Sequence, residues 1–192
     1  MDRSWMREKN GFTLVELLAG ILISAIILAG LYGVFFSQQK AYSAQEQVAE
    51  MNQNIRAALD LMTREIRLAG YKTSTSTFNG IATATSGSIR ILADLNQDGD
   101  TADDNEDITY TYNPEDLQIC RNGVSLPIAD NITSLSFLYT MEDGTVTSSP
   151  ANLSNIRMIR ISVAARTSFP DRSGAYRTIT LSTDVTPRNL AS

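Results

Sequence analysis

The chain of 192 residues contains no histidine, a single cysteine, Cys120, and a single tryptophan, Trp5. Without imidazole the commonest general base and the commonest nitrogen ligand for zinc are gone, and one thiol can form neither an intrachain disulfide nor a Cys-His dyad. Most hydrolytic and transfer constellations drop out with them, and we expect no enzyme. Positive charge is also scarce. Lys and Arg number 16 against 21 Asp and Glu, a formal net charge of −5, and no basic cluster interleaves with aromatics, so nucleic acid is not expected as a partner. Proline is missing until Pro114, so nothing in the first half of the chain forces a helix to break.

What the sequence has in place of these is one long apolar run. From Phe12 to Phe36, FTLVELLAGILISAIILAGLYGVFF carries one charge in 25 residues. At about 1.5 Å per residue this is enough to cross a hydrocarbon core of about 30 Å. It is too long for the apolar core of a secretory signal and lacks an A-x-A-like site, so it predicts a single membrane-spanning anchor. The exception within it is Glu16. A carboxylate in a spanning helix costs on the order of 2.5–3.5 kcal/mol when central and less near the interface. Either Glu16 snorkels to the interface or a cation meets it. Ahead of the run lies the short polar stretch MDRSWMREKNG. Cleavage after Gly11 would leave Phe12 with a free amine, a cation able to pair with Glu16 of a neighbouring subunit. MREKNG is itself a sufficient leader, so translation from Met1 or Met6 gives the same mature chain.

GFTLVELL closely resembles the type III signal of type IV prepilins. The resemblance implies that Gly11 precedes the bond cut by a prepilin peptidase, that Phe12 becomes the N-methylated first residue, and that Glu16 is the assembly carboxylate. A basic residue often directly precedes the Gly in that signal; here Asn10 stands between Lys9 and Gly11.

Beyond Phe36 the pattern becomes amphipathic. Val48, Met51, Ile55, Leu59, Met62, Ile66 and Ala69 step by three or four, an apolar stripe on a helix, and Gly70 supplies a stop. Period-two alternation follows at Ile89/Ile91, Ile108/Tyr110/Tyr112, Leu117/Ile119, Leu135/Phe137/Tyr139, Ile159/Ile161/Val163 and Ile179/Leu181, each marking a half-buried strand. Turns fall at 113–116, Asn122-Gly123, Asp143-Gly144 and 170–174. The expected fold class is α+β, with a long N-terminal helix packed on one antiparallel sheet. Segments 59–71, 88–100, 106–112, 154–167 and 177–192 are similar to PilW-type minor pilins and their J-type pseudopilin relatives.

This resemblance implies the pilin architecture: a leader over 1–11, a transmembrane and filament-core helix over 12–36, an amphipathic helix over 37–70 and a β-rich head over 71–192. It also implies other major and minor pilins as partners, the bacterial inner membrane before assembly, and the pilus at the cell surface after it. The alternatives are a type II secretion pseudopilin of the J type and a membrane-anchored calcium-binding protein that never polymerises.

One stretch bears on a ligand. In DLNQDGDTADDNED (94–107), Asp94, Asn96, Asp98 and Gly99 fall at positions 1, 3, 5 and 6 of an EF-hand-type loop. Asp100 at position 7 would offer only its backbone carbonyl. Position 12 is Asn105 in place of Glu, with Glu106 one residue late. Asp94, Asn96 and Asp98 are the expected side-chain ligands for calcium, with Asp103, Asp104 or Glu106 closing the shell. Six carboxylates lie within residues 94–106, and a cation would relieve their repulsion. A solvated acidic turn without metal is the other outcome. Cys120 reads as a buried filler or an intersubunit disulfide partner. Asn131 and Asn152 open sequon-like triplets that read as turns, and Arg157 and Arg160 as partners of acidic groups.

Overall fold

A computed structural model describes residues 11–73, 76–123, 126–171 and 173–190. The leader up to Asn10, with Trp5 and both candidate starts, falls outside the described residues, as does Arg172 of the 170–174 turn. The chain divides into two compact units, residues 1–45 and 46–192.

One helix, α1 (Leu14–Leu68, 55 residues), passes through both. In the first unit every residue from Gly11 to Ser43 is exposed. The most apolar 18-residue window has a mean hydropathy of 2.5 and no part of it is covered. Such a surface calls for lipid or other apolar helices. Within the apolar run Phe12 to Phe36 the single serine is reconciled locally, since Ser24 Oγ donates to the Gly20 carbonyl at 2.7 Å, the back-bond a hydroxyl makes on an apolar helix.

In the second unit the stripe is buried as its spacing predicts. Met51, Ile55, Ala58, Leu59, Met62 and Ile66 face inward, followed by Ala69, while Val48 at the upper end is partly buried. The helix closes at Leu68. Gly70 takes φ +80° and its N–H donates to the Leu92 carbonyl at 2.9 Å, which turns the chain out of the helix toward the sheet. A Cβ on Gly80 would fall 2.2 Å from the Gly70 nitrogen, so two backbones meet here with no room for a side chain.

Among the described residues nine strands follow, in two sheets. The first is a meander of β1 (Ile81–Ala84), β2 (Ser88–Leu92), β3 (Asp107–Asn113), β4 (Gln118–Arg121) and β5 (Pro127–Ala129), ordered β1-β2-β3-β4-β5. The second is ordered β7-β6-β8-β9, from β6 (Ile132–Met141), β7 (Val146–Thr147), β8 (Ile156–Arg166) and β9 (Thr178–Val185). All described pairings are antiparallel.

The expected α+β class holds, a long helix with antiparallel sheet, and the single sheet expected is divided into two. The division falls at Asp130-Asn131. Asn131 adopts φ +58°, and the flanking strands do not pair with each other. The Ile132 N–H reaches back to the Leu117 carbonyl at 2.8 Å and the Arg166 N–H to the Asn131 carbonyl at 2.9 Å. The chain thus turns a corner where a hairpin would continue the meander.

Within the second sheet the inward residues pair across strands, Leu135 with Val163, Phe137 with Ile161 and Tyr139 with Ile159. These join Ile89, Ile91, Tyr110 and Ile119 of the first sheet and the helix stripe in one core. Each fully buried Ile or Phe contributes about 1.5–3 kcal/mol of hydrophobic stabilisation. Polar links close the seam, with Phe137 N–H on the Ser86 carbonyl at 2.8 Å and Tyr139 Oη donating to Thr85 O at 2.8 Å.

Candidate functional site

A single carboxylate in the first unit and a cluster of carboxylates in the second stand out. At the start of α1, Thr13 is the last residue before the helix and Glu16 lies three positions on. The Thr13 N–H and Oγ1 donate to Glu16 Oε2 at 3.1 and 3.0 Å, and the Glu16 N–H donates back to Thr13 Oγ1 at 3.3 Å. This is a reciprocal capping box, in which orphan amides of the first turn are satisfied by side chains that also satisfy each other. A cap of this kind is worth about 1 kcal/mol, and the carboxylate lies at the positive end of the helix dipole. Thr13 is a functional residue that charge-based reasoning passes over, although Thr-x-x-Glu opening an apolar run is its signal. Phe12 is 87% exposed, and Gly11 has open space around it.

The cluster occupies the connection from β2 to β3. Three backbone reversals shape it, at Gln97 (φ +66°), Gly99 (φ +103°) and Asn105 (φ +70°). Asx-type bonds wind it, from Asp98 N–H to Asn96 Oδ1, Asp100 N–H to Asp98 Oδ1 and Ala102 N–H to Asp100 Oδ1. Carboxylate oxygens of Asp98, Asp100, Asp103 and Glu106 come within 4.8 Å of one another. The Asn96 amide nitrogen donates to Asp98 Oδ2 at 3.0 Å and to Asp103 Oδ2 at 2.6 Å. The charge of Asp98 above all holds the Asp103 carboxyl above its ordinary pKa, with Glu106 adding to it.

Two members of the loop are buried. Asp94 is 0% and Glu106 2% exposed. Asp94 Oδ2 accepts from Ser76 Oγ and from the Gly99 N–H, both at 3.1 Å, the latter joining the first and sixth positions of the loop. Glu106 Oε1 accepts from the Leu95 and Asn96 N–H groups at 2.7 and 3.2 Å. The other oxygen of each, Asp94 Oδ1 and Glu106 Oε2, is buried without a hydrogen-bond partner.

The geometry of this loop differs from the sequence expectation at Asp100 and Asn96. Asp100, expected to offer only a carbonyl, brings its carboxylate to the cluster, while Asp104 lies outside it. Asn96 is engaged as a bridging donor between two carboxylates. Glu106, one residue late for a regular loop, brings its carboxylate to the cluster, while Asn105 takes a positive φ and accepts from the Arg121 guanidinium at 2.8 Å.

Arg121 belongs to a network no spacing rule announces. Its Nε donates to Glu65 Oε1 and Oε2 at 3.2 and 3.1 Å, and the Tyr110 hydroxyl also donates to Glu65 Oε2. Burial first, and the Glu65 carboxylate second, raise the Tyr110 pKa. The group ties α1, β3, β4 and the acidic loop together. Cys120 beside it is buried at 0% exposure, the filler position expected. Arg157 pairs with Glu142 and Arg160 with Asp184. Asn131 sits at the corner between the sheets, and Asn152 caps a short 3-10 turn.

The description of prepilin peptidase-dependent protein B matches residues 44–185, and the prokaryotic N-terminal methylation motif matches residues 6–32. No curated protein matches the chain. Among solved structures, a type IV-like pilin from Thermus thermophilus is similar in fold, with a TM-score of 0.52 at 14% identity, over 74% of this chain and all of that one. The methylation motif covers Gly11, Phe12 and Glu16, and the longer match covers nearly the whole of the second unit. The chain belongs to the prepilin peptidase-dependent protein B family, as a type IV pilin-like protein whose N-terminus carries the signal for a prepilin peptidase.

Proposed function

We propose that this chain is a minor pilin of the PilW type. It enters the inner membrane as a single-pass precursor, is cut after Gly11 and methylated on Phe12, and packs its apolar helix among those of other major and minor pilins. Its role is to initiate or cap a type IV pilus. The observation that carries this reading is the pairing of an uncovered apolar helix with one carboxylate a single turn from the cleavage point. In the separate subunit that carboxylate is held by Thr13. Cleavage creates an amine on Phe12, and a neighbouring subunit's amine then supplies the cation that the apolar run itself lacks. The resemblance to PilW-type chains supports the initiating or capping role.

The test co-expresses the full chain with a prepilin peptidase and takes its intact mass and N-terminal sequence. The expected product starts at methylated Phe12. A Glu16→Ala variant is expected to insert at least as well as the natural chain, because it removes a charge from the apolar run, and to be absent from sheared pili. Normal incorporation of Glu16→Ala would defeat the pairing account, and a chain that keeps its leader would defeat the pilin reading as a whole.

A further inference from the structure

We infer that the β2–β3 loop is a calcium site built on Asp94, Asp98, Asp100, Asp103 and Glu106. The clustering of acids alone would not support this, since exposed acidic turns are ordinary. Burial does. Glu106, whose carboxylate is part of the cluster, is 2% exposed with Oε2 unpartnered, and Asp94, the first residue of the loop, is 0% exposed with Oδ1 unpartnered. A buried carboxylate oxygen with no donor is costly enough that proteins rarely leave one. Here two occur in one loop, while the second oxygen of each is held by backbone amides or Ser76. The loop thus spends its amide donors on one oxygen of each buried acid and leaves the other for something else.

Among the described residues no Lys or Arg supplies it. The ion pairs join Arg90 to Asp107, Arg121 to Glu65, Arg157 to Glu142 and Arg160 to Asp184, and none includes a member of the cluster. The partner has to be positive, compact and satisfied by oxygen alone, which describes a hard divalent cation. Calcium binds 6–8 oxygens at about 2.3–2.6 Å, so oxygens on opposite sides of its shell lie about 4.6–5.2 Å apart. One carboxylate oxygen each of Asp98, Asp100, Asp103 and Glu106 lies no more than 4.8 Å from the others. Magnesium prefers a tighter octahedron and keeps its waters, a poorer match to a flexible loop rich in carboxylates. The site would fasten Tyr71 and Ser76 to the sheet, because Asp94 already holds Ser76 and its N–H donates to the Tyr71 carbonyl at 2.7 Å.

The test uses the full chain in detergent, stripped with EGTA, then titrated with calcium chloride or magnesium chloride. Calorimetry should show one calcium per chain. At calcium a hundredfold above its Kd, the melting temperature should rise by about 5–10 °C, with a smaller rise in magnesium. Asp98→Asn and Asp103→Asn, both at exposed positions, should abolish the rise. In EGTA Asp103→Asn should melt at or above the natural chain, because it relieves the repulsion between Asp103 and Asp98. Glu106→Gln should also abolish the rise if it folds, and the two exposed variants decide the matter if it does not. Absence of binding heat and of any melting shift at 5-millimolar-order calcium, about a thousandfold above a sensor-type Kd, would overturn the proposal. So would a shift that survives both exposed variants.

Discussion

Glu65→Ala tests whether the polar group under the acidic loop holds the globular unit together. Glu65 and Arg121 side chains are 18% and 17% exposed, so the pair is mostly but not wholly removed from water. The substitution deletes two acceptor bonds to Arg121 and the acceptor of the Tyr110 hydroxyl, whose residue is fully buried. Removing one partner of a fully buried pair costs about 3–5 kcal/mol. Water reaching Arg121, and its remaining bond to Asn105, reduce that to about 2–4 kcal/mol. In a unit of this size about 3 kcal/mol lowers the melting temperature by about 6–12 °C. Urea unfolding of the detergent-solubilised chain, followed by near-ultraviolet tyrosine dichroism, measures it. The double variant Glu65→Ala/Arg121→Ala should cost at least about 1 kcal/mol less than the sum of the single changes. A single-variant cost below about 0.5 kcal/mol, or strict additivity, would show that water already satisfies these groups and would refute the reasoning.

Gly80→Ala should destabilise by more than the usual overpacking cost of about 1–3 kcal/mol, because the added Cβ meets backbone 2.2 Å away and no side chain can yield; Gly87→Ala, with open space around it, is the control, and equal urea midpoints for the two would refute the contact. Arg160→Ala should flatten the acid limb of stability. The bond from Arg160 holds the Asp184 carboxyl below its ordinary pKa. A carboxylate whose folded pKa is depressed contributes stability above its unfolded value of about 3.9, and that contribution is lost as the pH falls through the folded pKa. The variant should therefore fall below the natural chain at pH 7 and meet it by pH 2, as urea midpoints taken across that range would show; a constant offset would refute it.

How much of this could be seen in the residues alone depended on whether the signal was periodic. The stripe from Met51 to Ala69 repeats at helical spacing, so the long helix and its buried face follow from it. Strands β2, β3, β4, β6, β8 and β9 follow likewise from alternation. Alternation says only which face of a strand is apolar, and the inward faces of both sheets end in one core. Nothing in Leu135-Ser136-Phe137 therefore distinguishes continuation of the first meander from the start of a second sheet. That choice was made by backbone geometry at Asn131. The short strands β1, β5 and β7 are fixed by their neighbours' ladders. Glu65 looks like any solvent-facing charge on a helix, and only the fold brings Tyr110 and Arg121 to it from 45 and 56 residues away.

The two carboxylate groups extend the same point to function. Both Glu16 and the loop acids were conspicuous as charges out of place, but charge does not say what has been provided for them. At Glu16 the chain supplies a local answer, Thr13, at a helix start where amides are available in any case. The capping box is weak enough, at about 1 kcal/mol, to be exchanged for a full positive charge. The β2–β3 loop has amides too, and it directs them to Oε1 of Glu106 and Oδ2 of Asp94, so the opposite oxygens stay buried and unpaired. Folding without a cation would leave that cost unrelieved, whereas an exposed turn would have turned both acids outward at little expense. That these two are buried, while Asp98, Asp100 and Asp103 remain at the surface, is what the proposed calcium site would require, with its inner acids held by the fold and its outer acids open to solvent.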